Sequence, residues 1–169
     1  SNAAFSLNGD EYQLTKNDGH NCLHGGESNI SLRYWEIHDQ SDMHVIFKLR
    51  LVHLEDGFPG NRDLYVRYYL SDDNALNIQF NVISDIDTPI NLTNHAYFNL
   101  GEQNIEDLIF KLNAKELLER KCNGLPTGRL LNTTETGFDM YSWVRVKDFI
   151  ESNQYEQNIV EEGIDHCFV

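Results

Sequence analysis

Apolar and polar residues alternate with a period of two along three stretches, and this pattern constrains the fold more than any other feature. Residues 45–51 and 76–82 each place apolar side chains at every second position. Successive side chains of a strand point to opposite faces, so each stretch predicts a strand with one buried face. Residues 64–70 alternate as well, and the turn formers at 71–74 then predict a hairpin with 76–82.

The remaining segments also favour strands over helices. Shorter strands are predicted at 11–14, 32–38, 91–93, 107–113, 116–120 and 164–169, and one short helix at 143–150. Glycine and asparagine stand at the breaks, and strands do not alternate with helices. The sequence therefore predicts an all-β fold of the antiparallel β-sandwich type.

Length and charge narrow the class of protein. The 169 residues suffice for one domain, predicted at 4–169, with Ser1-Asn2-Ala3 interpreted as a tag remnant. Thirteen basic and 27 acidic residues give a net charge of −14, which opposes nucleic acid and anionic membranes as partners. No apolar run reaches the length of a membrane span, and no signal-peptide pattern opens the chain. A neutral sugar is compatible with this charge.

The cysteines and the first histidines favour a reduced protein without metal. Cys22, Cys122 and Cys167 are scattered and odd in number, which is typical of free thiols in the cytoplasm. His20 and His24 are four residues apart, but asparagine and glycine around them indicate a loop rather than a helical metal site. We expect no bound metal and a cytoplasmic location.

The segment at 91–101, NLTNHAYFNLG, has the composition of a sugar site. Amides and hydroxyls exchange hydrogen bonds with sugar hydroxyls, and histidine moves a proton near neutral pH. The aromatic residues Tyr97 and Phe98, and Phe168 near the end of the chain, are predicted to be core rather than stacking surface.

Three further motifs accompany this segment along the chain, NCLHGG at 21–26, DGFPG at 56–60 and GIDHCFV at 163–169. In this order the four resemble motifs of the aldose 1-epimerases, or galactose mutarotases. The segment above matches the family's NLTNHxYFNL, and residues 21–26 look like its NxLHGG turn. Residues 56–60 look like its [ED]GFPG loop, and 163–169 is similar to its GxDHxFV strand. The resemblance extends from His24 to the last residue. It implies a mutarotase-like supersandwich, with the sugar in a cleft and neither metal nor nucleotide cofactor.

By matching positions, the resemblance implies roles for five residues. His95 would protonate the ring oxygen, and His24 would share protons and hydrogen bonds with the sugar. Asp165 would accept hydrogen bonds from ring hydroxyls, and Asn21 and Asn94 would bind sugar or orient the histidines. The alternatives are a structurally hydrogen-bonded His95 and a turn-capping His24.

The chain also departs from the family pattern. The resemblance implies a glutamate base beyond the DH strand and an arginine in an N-terminal strand, and no residue here matches either; a TPFDFR-like segment is degraded at 136–141. We therefore expect an incomplete domain, a fragment with little activity of its own. A non-catalytic sugar-binding module and a purely structural sandwich stay open as alternatives. A homodimer through exposed sheet edges is also expected.

Overall fold

The computed structural model describes residues 1–152 and 164–169, and it divides the chain into two compact units, Ser1–His95 and Ala96–Val169. Within these residues the strands are β1 (Ala4–Leu7), β2 (Asp10–Gln13), β3 (Glu36–Gln40), β4 (His44–Leu51), β5 (Arg62–Leu70), β6 (Leu76–Ser84), β7 (Ile109–Phe110), β8 (Glu116–Arg120), β9 (Pro126–Asn132) and β10 (Val144–Arg145). One α-helix, α1 (Val146–Ser152), follows β10. All strand pairs are antiparallel, which confirms the predicted fold class.

The first unit is built on a four-stranded antiparallel sheet in the order β3-β4-β5-β6. The predicted hairpin of β5 and β6 is confirmed, and its turn is closed by hydrogen bonds from Ser71 N to Ala75 O (3.0 Å) and from Asn74 N to Ser71 O (2.9 Å). Asn74 has a left-handed backbone, with φ of 62°. Asparagine tolerates this conformation better than most residues, which explains why the turn forms here.

One face of this sheet carries the core of the first unit. Leu49 and Leu51 of β4 and Leu64 of β5 are buried there. Side chains from outside the middle strands pack against them: Ile30, Trp35, Val82 and Leu92. The segments that precede β3 and follow β6 therefore contribute side chains to the apolar face, and one of these, Leu92, belongs to the motif at 91–101.

The first residues of the chain contribute contacts to the first unit. Ala3 is buried, and its carbonyl accepts a hydrogen bond from Leu14 N at 2.7 Å. The hairpin of β1 and β2 stacks Phe5 on Tyr12, with ring centroids 5.2 Å apart, and Phe5 also stacks on Phe58. This hairpin thereby supports the loop that follows β4.

The second unit has its own core beneath the hairpin of β8 and β9. Its buried members are Leu117, Phe138, Met140 and Phe149. Phe168 packs against this cluster and forms a bridge with Leu117, while Leu118 N donates to Cys167 O at 2.8 Å. The end of the chain is thus fixed along β8, although it forms a single bridge rather than the strand predicted at 164–169.

Two further sequence predictions are corrected. Residues 91–93 form no strand, because this segment covers the sheet with Leu92 instead of pairing with it. Residues 32–38 are only partly extended: a 3-10 turn spans Ile30–Leu32 and the strand starts at Glu36. Here Asn29 caps the turn by accepting from Ser31 N, which is a local signal for turn structure.

The remaining differences are shifts and omissions. The predicted helix is displaced to Val146–Ser152, and the strand predicted at 107–113 is reduced to Ile109–Phe110. Strand β9 was not predicted, because its Pro126 and Gly128 suggest a turn. Pairing with β8 overrides that local preference.

In the described part of the chain, no helix is long and apolar enough to cross a membrane. Cys22, Cys122 and Cys167 are free thiols.

Candidate functional site

The loop that carries His24 is held by a side-chain clamp. Asn17 Nδ2 donates to Leu23 O at 2.9 Å, and its Oδ1 accepts from Leu23 N at 2.7 Å. Gly26 N closes the turn on Leu23 O at 3.1 Å. His24 is left exposed, with a left-handed backbone (φ 52°) that a β-carbon makes costly. The surrounding hydrogen bonds hold the loop in this conformation.

The loop at 55–57 lies directly beside this turn. A β-carbon built on Gly26 would stand 2.6 Å from Asp56 Oδ1, so any larger residue would have to displace the Asp56 side chain. Ser28 N donates to the same carboxylate at 3.4 Å. A β-carbon on Gly57 would in turn meet Gln13 O at 1.9 Å. The two glycine-containing motifs of the sequence therefore support each other, and together they position His24.

His95 lies next to His24. The two imidazole rings meet edge to face, with centroids 5.9 Å apart and an interplanar angle of 87°. The segment that carries His95 is anchored by Leu92 in the core and by Asn94, whose Nδ2 donates to Tyr68 Oη at 3.1 Å. Two motifs that are far apart in sequence thus bring their histidines into contact.

The two asparagines predicted beside the histidines have structural contacts of their own. Asn21 Oδ1 accepts from Asn2 N at 3.0 Å, and Asn94 contacts Tyr68 as described. These bonds fix the chain segments on which His24 and His95 stand. Sugar contact by Asn21 and by Asn94 stays a prediction.

Asp165 belongs to the second unit and presents an accessible carboxylate. Its side chain is 75% exposed and pairs with Arg120, whose Nη1 lies 3.2 Å from Asp165 Oδ2 and also donates to the carbonyl of Asp165. The neighbouring His166 points the other way and packs on Phe138, with ring centroids 4.4 Å apart. Alternation along this segment therefore buries the histidine and exposes the aspartate. Its convergence with His24 and His95 on one sugar stays a prediction.

The aromatic residues are only partly as predicted. Phe168 packs on the second core, but Tyr97 and Phe98 are 87% and 64% exposed. The prediction of core positions for Tyr97 and Phe98 was wrong, because residues 96–100 form no strand and leave these two side chains exposed.

Sequence reasoning missed three residues that position the site. Tyr68 anchors Asn94, Asp56 fills the space under Gly26, and Arg120 holds Asp165. Asp56 lies in a recognised motif and could have been found there. Nothing local marks Tyr68 or Arg120, because their roles depend on which distant segment packs against them.

Chemically, the described arrangement can bind and transfer protons. Imidazoles donate and accept at ordinary pH, and a carboxylate accepts from two neighbouring hydroxyls. Cys22 lies in the same loop, where burial and the charge of Asp56 raise the pKa of its thiol.

Comparisons with known proteins agree with these motifs. The family model described as aldose 1-epimerase matches residues 1–169. The aldose 1-epimerase of Haemophilus influenzae is 38% identical over 173 residues, covering 99% of this chain and 49% of that protein. The galactose mutarotase of Bos taurus is 33% identical over 167 residues, covering 97% of this chain and 46% of that protein.

A solved structure extends the match to three dimensions. The galactose 1-epimerase from Lactobacillus acidophilus NCFM superimposes with a TM-score of 0.89 at 30% identity, covering 99% of this chain and 51% of that one. This match confirms the predicted galactose mutarotase-like fold. The chain spans about half the length of the curated relatives it matches. Since the family model extends along the whole sequence, the chain belongs to the aldose 1-epimerase family.

Proposed function

We propose that this chain is part of an aldose 1-epimerase that interconverts the α and β anomers of a free hexose such as galactose or glucose. Support comes from family membership and from relatives named aldose 1-epimerase and galactose mutarotase. The single observation that carries the proposal is the contact between His24 and His95, whose ring centroids are 5.9 Å apart. Anomer interconversion requires an acid and a base at the sugar, and this pair would supply the acid together with a neighbouring group that shares protons.

The reaction is a reversible ring opening. A base takes the proton of the anomeric hydroxyl while an acid delivers a proton to the ring oxygen, and the bond between C1 and the ring oxygen breaks. Rotation about C1–C2 then presents the other face of the aldehyde, and the same steps in reverse close the ring. Each proton given up is returned, so no external reactant is consumed and the enzyme ends unchanged.

His95 is assigned as the acid that protonates the ring oxygen, and His24 as its partner in proton sharing and sugar binding. This division rests on the motif positions, and the edge-to-face contact supports only that the two imidazoles act at one place. Asp165 is assigned to two adjacent sugar hydroxyls, since its carboxylate is exposed. Asn21 and Asn94 complete the assignment as sugar-binding amides.

The base is the part that this sequence does not supply. The resemblance implies a glutamate, and no residue of the 169 matches it. An acid without its base loses the concerted transfer, so we expect the 169-residue chain by itself to bind sugar and turn it over poorly. The catalytic test therefore belongs to the full-length protein.

Polarimetry on α-galactose with the full-length protein tests the proposal. His95→Asn is expected to lower the rate by roughly 10²–10⁴-fold, the usual range for losing a general acid or base. His20→Asn is the matched control, because His20 is exposed in the same loop outside the assigned site. An unchanged rate for His95→Asn would reject the assignment. Sugar binding without turnover in the full-length protein would favour the non-catalytic module.

The proposal includes a cytoplasmic location, supported by the three free thiols. A substrate with a phosphate is disfavoured at this site, because the sequence places no cluster of arginine and lysine near the motifs that carry the histidines. Nucleic acid and membrane surfaces are disfavoured as partners by the net charge of −14.

A further inference from the structure

A polar cleft lies on the face of the four-stranded sheet that is turned away from the core of the first unit. On β5, Leu64 and Val66 are buried, so Tyr65 and Arg67 point to the opposite face. Arg67 is paired in register with Ile46 of β4 and Gln79 of β6. Together with His38 these residues line a cleft of about 340 Å³. The histidine pair of the proposed active site does not line it.

Arg67 has no acceptor for its guanidinium among the residues that the structure describes. Its Nε is shielded from solvent and forms no hydrogen bond. Its contact is with the ring of Tyr69, 4.7 Å from the guanidinium carbon to the centroid. Buried polar groups in proteins nearly always have a partner, so the buried Nε of Arg67 is a donor that the described residues leave unsatisfied.

Every other arginine of the chain has an acceptor. The carboxylates of Glu55, Asp63, Asp165, Glu119 and Asp107 pair with Arg33, Arg50, Arg120, Arg129 and Arg145. Arg62 donates to the carbonyls of Gly60 and Val52. Among the residues that the structure describes, Arg67 therefore differs from the other six arginines in having neither a carboxylate nor a carbonyl acceptor, in a chain with a net charge of −14.

The surroundings of Arg67 suit a small anion. No aspartate or glutamate is among the residues that line the cleft. Gln79 and Asn81 project from β6 beside Arg67 and Tyr65, and their amides can donate hydrogen bonds. Ile46 and a second isoleucine, Ile83, interrupt the otherwise polar pattern of this face and offer apolar contact.

We propose that this Arg67 cleft binds a small metabolite that carries a carboxylate or phosphate group. The guanidinium would receive the oxyanion in a two-pronged hydrogen bond, which arginine forms with both groups. The amides of Gln79 and Asn81 would bind further polar atoms, and the two isoleucines would contact the carbon skeleton. The volume of about 340 Å³ is at the small end of ligand sites.

Titrations followed by amide NMR test the proposal, with inorganic phosphate, citrate and galactose as separate probes. Phosphate or citrate is expected to shift amide signals of β5 and β6. The anion that binds more tightly identifies the preferred oxyanion. Galactose, which is neutral, is expected to leave these signals in place. The proposal is overturned if neither anion shifts them up to about 10 mM, where even weak millimolar binding is visible.

Charge variants separate specific binding from general attraction. Arg67→Gln is expected to weaken anion binding roughly tenfold or more, the usual effect of losing a charge-assisted hydrogen bond. Arg50→Gln is the matched control: it removes the same charge from the same face, where Arg50 already pairs with Asp63 at 3.0 Å. Its effect should stay within about twofold, since exposed charges at a distance are screened by salt. Equal losses in the two variants would reject a specific site.

Arg67→Lys guards against a folding artefact, because it retains the charge and removes the planar fork. Binding intermediate between that of the native protein and Arg67→Gln is expected, with unchanged far-UV circular dichroism. Native-strength binding by both substitutions would contradict the role given to Arg67.

Discussion

At the scale of single residues, Gly26 determines whether the His24 loop can form. Its φ is +102°, and a β-carbon would stand 2.6 Å from Asp56 Oδ1 and 2.7 Å from Asp56 Cγ. Gly26→Ala therefore combines backbone strain with a displaced Asp56. We expect a loss of about 2–4 kcal/mol in the free energy of unfolding, measured with urea.

Gly19→Ala is the matched control for this prediction. Gly19 is in the same loop and also has a positive φ, +57°, but a β-carbon there meets nothing within 4 Å. It should cost only the backbone strain, about 1–2 kcal/mol. If Gly26→Ala and Gly19→Ala lowered the free energy of unfolding equally, the contact with Asp56 would contribute nothing.

Arg120 gives a second prediction at this scale, one that rests on the proposed function. Its contact with Asp165 restrains a carboxylate that is 75% exposed. In the full-length protein, Arg120→Gln should raise KM for galactose about two- to fivefold, the factor that corresponds to an exposed ion pair. The value of kcat should change less, because the proton-transferring groups are untouched.

Arg129→Gln is the control for Arg120, since Arg129 pairs with Glu119 on the same hairpin. It should leave both kinetic constants unchanged. A raised KM in both variants would point to damage of the hairpin rather than to Asp165.

The sequence could predict the residues of the histidine pair, but not the residues that hold them. Both histidines stand in recognisable motifs, and the structure brings them together. Tyr68 is an ordinary aromatic in an alternating strand, and only the path of the segment after β6 makes it a partner of Asn94. Such contacts depend on tertiary packing, which leaves no local trace in the sequence.

At the scale of elements, an ion pair between Arg129 and Glu119 links the two strands of the hairpin formed by β8 and β9. Arg129 and Thr127 both donate to the carboxylate of Glu119, and they lower its pKa from 4.5 to about 2. A lowered pKa means that the folded state binds the proton less tightly than the unfolded state. The carboxylate therefore stabilises the hairpin above about pH 4.5, and this contribution is lost as the pH falls towards about 2.

Carbon-13 NMR titration of the Glu119 carboxyl measures this effect directly. Arg129→Gln is expected to raise the pKa most of the way back to 4.5, because the hydrogen bond from Arg129 is the main cause of the shift. Thr127→Val removes the second cause and should raise the pKa by less. A larger rise in Thr127→Val would reverse the assigned order.

Elements were predictable where local pattern and pairing agree. In β5 and β6, alternation and the turn at 71–74 both favour the observed hairpin. In β9, proline and glycine favour a turn, yet the strand pairs with β8 along Glu116↔Asn132 to Arg120↔Pro126. Residues 91–93 are the reverse case. They were predicted as a strand, but the segment pairs with no strand and covers the sheet with Leu92 instead. Where the two influences conflict, pairing with a distant strand decides.

At the scale of the whole chain, the period of two predicted an all-β fold, and the resemblance to the aldose 1-epimerases predicted its topology. Alternation indicates which face of a strand is buried, but it does not say which distant segment covers that face. The order of the four motifs supplied this information, and the match to a solved structure over 99% of the chain agrees with it.

The edges of the four-stranded sheet differ in a way that affects self-association. The edge strand β3, EIHDQ, carries two acidic residues, which discourage pairing with another chain. The opposite edge, β6, runs for nine residues as LNIQFNVIS without a single charge. Among the described strands, none pairs with the free side of β6. An uncharged edge of this length is a template for strand addition.

We therefore expect the 169-residue chain to dimerise through β6. Light scattering should show a mass that rises with protein concentration, and the dimer should be favoured by added salt, which screens the repulsion between chains of charge −14.

Gln79→Lys places a charge on β6 and should shift the equilibrium towards monomer. Gln40→Lys adds the same charge to β3 and should not. Both substitutions reduce the net negative charge, which by itself would favour association, so a loss of dimer confined to Gln79→Lys can only come from the edge. A strictly monomeric native chain at high salt would show that β6 does not serve as an interface.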